Sequence, residues 1–254
     1  MDSLLQLALA LGMMAIAIAL SAWQKLGLEW NLALATGRSV LQLLVLGYVL
    51  AIAFEVNNPW LGLCIVAVML FVTAIVTRNR ISQKIPKLVP IVAASLLIGV
   101  ALTLVYTSLL VIQPRSWLDP RYLIPLTGII LGNAMNGAAI TGERLVNSLN
   151  ANPLEIETHL SLGATPQQAI APYRRDAIRA GLLPTLNTAT IIGLSTVPTF
   201  MAAQLLGGVP PLTATAYQLV VLFMVILSTL ITIMLVTYGI YRQHFTQHDQ
   251  LNLW

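Results

Sequence analysis

The chain is poor in charge, in histidine and above all in cysteine. It has 254 residues with 13 Lys and Arg, nine Asp and Glu, three His and a single Cys. One cysteine, Cys64, excludes a disulfide framework and a Cys-based metal centre. No G-x-x-x-x-G-K-[ST] sequence occurs, so the chain lacks the loop that cradles ATP phosphates. No H-E-x-x-H pair occurs either, and all three histidines fall outside the long apolar runs, which speaks against an intramembrane metalloprotease. Charge is too sparse to cover a water-facing surface and is gathered between long uncharged stretches. Alternating ten-residue segments are missing, which sets aside an outer-membrane barrel.

What is present is apolar: 57% of the residues are hydrophobic and only 9% are charged. That composition predicts an all-α, polytopic transmembrane helix bundle, organised as one transmembrane domain over residues 1–254. A helix needs about 20 apolar residues to cross the hydrocarbon core. Cutting the chain at charges and turn residues predicts seven spans: Leu4 to Trp23, Ser39 to Phe54, Trp60 to Thr77, Leu88 to Ile112, Tyr122 to Thr141, Leu183 to Leu206 and Leu212 to Tyr241. The second is short, and Lys25 to Gly37 before it reads as an interfacial elbow helix. The first carries Asp2 and no positive residue ahead of its apolar run, and is expected to be a retained helix, not a signal peptide.

With seven spans alternating sides, eleven of the 13 Lys and Arg fall on one side. The positive-inside rule makes that side cytoplasmic, with the N-terminus outside and the C-terminus inside. The net charge of +4 largely reflects this bias and gives no reason to expect nucleic acid.

The polar stretch at 143–182 then lies in the cytosol, and its centre carries helix start and stop signals. Asn152 is a candidate N-cap with Pro153 at the first helical position and Glu155 completing a capping box. Gly163 is placed to end that helix in the left-handed conformation. Thr165, Pro166 and Gln168 repeat the start signal for a second helix, which Pro172 should kink or split. A solvated loop that simply folds well would carry the same signals.

Glu157, Thr158, His159, Gly163, Ala164, Thr165, Pro166, Gln168 and Ala169 resemble the EAA loop of ABC-transporter permeases. The sequence departs from that pattern in having Thr158 and His159 where two alanines usually stand, and in lacking the Ile-x-Leu-Pro continuation. Further blocks are GRSVLQLLVLGYVL from Gly37, GNAM from Gly132, LSLGAT, RDAIRAGLLPT from Arg175 and IGLSTVPTFMAAQLLGG from Ile192. Together they resemble one permease family, that of bacterial FetB-type iron exporters and plant aluminium-tolerance half-transporters. The resemblance implies a bacterial inner-membrane subunit that exports metal ions, iron among them, driven by a separate ATP-hydrolysing subunit. ATP and Mg2+ would be bound by that partner, with no cofactor in this chain. A homodimer in membrane lipid is expected, because one set of spans needs a second copy to enclose a pathway. The residues expected at the ATPase are Glu157, His159, Leu162, Gly163, Ala164, Thr165, Pro166 and Gln168.

Polar groups inside spans are the pathway candidates, because each is costly in lipid unless it faces the bundle interior or a cavity. They are Asn133, Met135 and Asn136 in the fifth span, Ser195, Pro198, Met201 and Gln204 in the sixth, and Gln42 and Glu55 at the ends of the second. Packing competes with each: Gly128 and Gly132 form a GxxxG face beside the two asparagines, and hydroxyls repair the backbone around proline. Metal ligands are left open, with Glu55, Met135, Met201, His244 and His248 as candidates; His244, His248 and Asp249 equally suit a mobile tail. A nucleotide sugar as solute, or a carrier or channel without any ATPase, remains the alternative.

Overall fold

The computed structural model describes residues 3–113 and 118–245. Its helices, in chain order, are α1 (Ser3–Trp23), α2 (Glu29–Val56), α3 (Pro59–Ile81), α4 (Leu88–Tyr106, continued by a π-helical stretch over Thr107–Ile112), α5 (Pro120–Ala151), α6 (Pro153–Ser161), α7 (Pro166–Ala169), α8 (Ala171–Ile191), α9 (Thr199–Leu206) and α10 (Pro211–His244). The chain is a polytopic, all-helical membrane protein. Contacts group it into two compact units, Met1–Asn57 and Asn58–Trp254.

Among the described residues, five helices are long and apolar enough to cross a membrane: Glu29–Val56, Pro59–Ile81, Leu88–Ile112, Pro120–Ala151 and Pro211–His244. Leu9–Trp23 is a shorter apolar helix. Two expectations change. The elbow at Lys25 to Gly37 is not a separate helix. Lys25 and Gly27 turn the chain at positive φ, and from Glu29 a single helix runs to Val56. A glycine inside a helix costs about 1 kcal/mol but does not interrupt the hydrogen-bond ladder, so Gly37 is no boundary. The expected sixth span, Leu183 to Leu206, is not one helix either. It ends at Ile191 and resumes at Thr199, with Gly193 at φ +77° and Pro198 between them.

In the first unit, α1 and α2 are joined by the turn at Lys25 and Gly27, and the buried Ser21 hydroxyl donates to Glu29 Oε1 at 3.2 Å. In the second unit α5 is central and packs against α3, α8 and α10, while α4 packs on α10. Helices start where a short polar side chain precedes proline. Asn58 accepts from Trp60 N and Asp119 from Arg121 N, both at 2.9 Å, with Pro59 and Pro120 at the first position where the missing N–H costs nothing.

Small residues bring the helices together. A Cβ on Gly181 of α8 would collide with Thr141 Oγ1 and the Gly137 carbonyl of α5, and one on Gly99 of α4 with Thr232 Oγ1 of α10. Close backbone approach is the main source of helix attraction in lipid, where apolar burial between helices gains little. Of the expected GxxxG pair only Gly128 meets a neighbour, Met69 Cε at 3.3 Å from its Cβ position, while nothing lies within 4 Å of a Cβ on Gly132; the tightest approaches on α5 fall at Gly137 and Gly142.

Candidate functional site

The polar hairpin is closed by local hydrogen bonds. At the end of α6, Ala164 N donates to His159 O and Gly163 N to Leu160 O, each at 3.0 Å, with Gly163 at φ +91°. This pair is a Schellman ending, and only glycine takes that backbone without strain. Two residues later Gln168 N donates to Thr165 Oγ1 at 3.3 Å and Thr165 N to Gln168 Oε1 at 2.9 Å, a complete capping box. The first capping box does not form. Asn152 is shared between the end of α5 and the start of α6, and its amide donates back to Ser148 O at 2.9 Å, leaving no cap bond for α6. Pro172 splits the chain as expected, with α7 stopping at Ala169 and α8 opening at Ala171.

Ile156, Pro166, Ala169 and Ile170 anchor the hairpin by burial. Its other face is solvent-exposed: Leu154 and Leu162 are 77% and 80% accessible, and Glu157, His159, Thr165 and Gln168 are exposed with them. Ala164 is half-buried. Of the eight residues expected to meet a partner, Pro166 is therefore an internal anchor. Leu154 was not singled out by sequence, though its spacing of eight residues from Leu162 places both on one helical face.

The hairpin is tied into the bundle at several points. The Tyr173 hydroxyl is enclosed, and burial first and the nearby Glu155 carboxylate second push its pKa up to about 12. It stays protonated at neutral pH, and the stability this gives is present below pH ~10 and lost as the pH rises toward 12. Arg144 of α5 pairs with Asp176 of α8 at 2.8 Å. Arg174 Nε donates to Thr237 Oγ1 of α10 at 3.1 Å.

Beyond the hairpin, two cavities open between α5, α9 and α10. The larger, about 750 Å³, is lined by Asp119, Arg121, Tyr122, Pro125, Gln204 and Tyr217 among others. The second, about 550 Å³, is lined by Asn133, Asn136, Thr188, Pro198 and Gln218, with Pro184 and Thr185 of α8 on its wall. Asn136 Oδ1 accepts from Arg80 Nη1 at 3.1 Å, which brings a guanidinium of α3 beside this second cavity. Asn133 turns its amide to Ile129 O at 2.9 Å.

Four of the pathway candidates thus line cavities: Asn133, Asn136 and Pro198 the second, Gln204 the first. Met135 and Met201 are half-buried and line neither, and Ser195 is exposed in the turn before Pro198. Gln42 and Glu55 are exposed on α2. His244 is fully buried at the end of α10, its Nδ1–H donating to Ile240 O at 2.9 Å, and so is no part of a loose tail. His248 and Asp249 lie outside the described residues. Among the described residues no three His, Cys, Asp or Glu side chains gather into a metal-holding group. Gln218, Phe200 and the Arg80–Asn136 bond went unread in the sequence; a lone glutamine in an apolar run was the one visible signal.

Comparison with known proteins agrees with the helical membrane character of this fold. The family model described as an uncharacterised protein family, UPF0014, matches residues 4–245. A UPF0014 membrane protein of Synechocystis is 48% identical over 241 residues, covering 95% of this chain and 93% of that protein. The "Probable iron export permease protein FetB" of Escherichia coli is 34% identical over 245 residues, 96% and 93% of the two chains. The protein ALUMINUM SENSITIVE 3 of Arabidopsis thaliana is 32% identical over 247 residues, 96% and 88%. No solved structure matches. A match along nearly the whole chain, with relatives 32–48% identical over almost its full length, makes this chain a member of the UPF0014 family of membrane proteins.

Proposed function

We propose that the chain is the membrane permease of an ABC transporter that exports metal ions, iron first among them. A separate cytosolic ATPase drives it, carrying ATP and Mg2+, and a second copy of this chain completes the pathway. The observation that carries the reading is the hairpin: a helix closed by a Schellman turn and followed at once by a capping box, presenting Leu154, His159 and Leu162 outward. Such a preformed, partly apolar projection on a membrane protein suits a groove in a nucleotide-binding partner. The iron assignment draws on the name of the Escherichia coli relative. In this reading the hairpin faces the cytosol, with the N-terminus outside and the C-terminus inside, and the membrane is a bacterial plasma membrane. Closure of paired ATPases displaces α6, and α8 carries that movement toward the cavities.

Replacing Gly163 with leucine tests the coupling. A branched side chain at φ +91° strains the turn by roughly 1–2 kcal/mol and should tilt α6. In proteoliposomes with the ATPase, ATP hydrolysis should persist while transport per ATP drops at least fivefold. Unchanged coupling would remove the hairpin from the mechanism. A second reading, a polar organic solute such as a nucleotide sugar, is favoured by the size of the 550 Å³ cavity and by Arg80 beside it, since a guanidinium suits a phosphate and repels a cation.

A further inference from the structure

The two cavities are consecutive along the same helices. On α5 the wall passes from Arg121 through Pro125, Ile129 and Asn133 to Asn136 and Ile140 at helical spacing. At 1.5 Å per residue that run covers roughly 30 Å, the thickness of a hydrocarbon core. Two residues, Phe200 of α9 and Val221 of α10, belong to the walls of both cavities. An aromatic and a branched aliphatic side chain therefore stand where one space would otherwise run into the other.

The segment that delivers Phe200 is irregular. Between α8 and α9 the chain turns through Gly193 at φ +77° and closes an isolated bridge from Ile192 to Thr196. Broken backbone at membrane depth is tolerated where protein or a water-filled cavity satisfies its polar groups. Two enclosed amide oxygens point to the same conclusion. Gln204 lines the cavity on the Asp119 side and Gln218 the cavity on the Asn136 side, and the Oε1 of each is enclosed without a hydrogen-bond partner among the described residues. An enclosed acceptor left unpaired costs about 1–3 kcal/mol, a cost removed when water or a solute donates to it.

We propose that the cavities are two vestibules of a single pathway, closed in this conformation by Phe200 against Val221, with Gln204 and Gln218 as the acceptors on either side of the closure. The solute they would receive is one that brings hydrogen-bond donors, either the hydration water of a metal ion or the hydroxyls of an organic molecule. Neutral oxygens hold such a solute weakly enough to release it, as throughput requires. The inference rests on the permease reading for its direction of use but not for its geometry.

The test uses the full chain with Cys64→Ser in lipid vesicles, carrying Gln204→Cys or Gln218→Cys, and a membrane-impermeant methanethiosulfonate reagent added to one side at a time. Each cysteine should react from one side only, and the two from opposite sides. Adding Phe200→Ala should let the reagent reach both from both sides, at least tenfold faster from the formerly closed side. Phe71→Ala, on the exposed face of α3, should leave the pattern unchanged. Reaction of both cysteines from the same side, or one-sided labelling that survives Phe200→Ala, overturns the proposal. Vesicles loaded with iron(II) or with a uridine diphosphate sugar then identify the donor source: Phe200→Ala should leak one of them without nucleotide, and tightness to both overturns the closure. Labelling depends on no ATPase. If the two-sided pattern appears while ATP drives no transport, the closure stands and the ATP-driven reading falls.

Discussion

Helix α10 and the α8–α9 arm both run more than 30 residues through the same bundle, yet they are held in different ways. α10 is a single helix from Pro211 to His244 that buries residues along its whole length, from Ala214 and Val221 to Ile240 and His244. The arm breaks at Ile192–Pro198. Its α8 half buries only Ala177, Gly181 and Thr185, one residue per turn, and its α9 half buries none. A helix packed on several sides has one favourable position, whereas a helix moored along one stripe and jointed at its end can be moved at modest cost. In the proposed mechanism α10 is the fixed wall of the cavities, and the arm, which runs from the hairpin to Phe200, is the part that shifts against it.

The strongest way to break that contrast is to enlarge the mooring. Gly181→Leu forces side-chain atoms into Thr141 and the Gly137 carbonyl and should cost about 3 kcal/mol, at the upper end of overpacking penalties. Gly132→Leu, with nothing within 4 Å, should cost far less. Thermal unfolding of both variants in detergent checks this, and equal midpoints would mean that the arm is not held at Gly181. A smaller effect is expected where the arm begins. Thr165→Ala removes the capping box and should destabilise the α7 turn by about 1 kcal/mol, while Asn152→Ala should cost a few tenths, because Asn152 makes no cap bond. Hydrogen exchange of the amides at Gln168 and Ala169 would separate the two. The smallest effect belongs to the Arg144–Asp176 tie. Both side chains are more than half exposed, so a double-mutant cycle should return under 1 kcal/mol and shrink as salt is added.

Much of this was legible in the chain. The spans that became α3, α4, α5 and α10 are uncharged, mostly apolar runs, and in lipid such runs have no alternative to helix. Thr165, Gln168, Gly163 and Pro172 behaved as local signals because their partners lie within five residues. Asn152 misled for the same reason: its amide had two local carbonyl and amide choices, and it took the one behind it. The break between α8 and α9 was obscured because Ile192 to Leu206 stays uncharged throughout, and hydropathy does not register the positive φ at Gly193. Phe200 had no sequence signature, since its position between two cavities is set by α5 and α10, distant in the chain.

The closure of the hairpin by its own backbone bears on association as well as on shape. Fixing a residue's backbone costs about 1–2 kcal/mol of conformational entropy. For the residues from Pro153 to Ala169 that cost is met when the membrane protein folds, through bonds that need no other chain. A protein seating on Leu154 and Leu162 therefore has little of the hairpin left to order, so even a small contact area can hold it through repeated cycles of attachment and release.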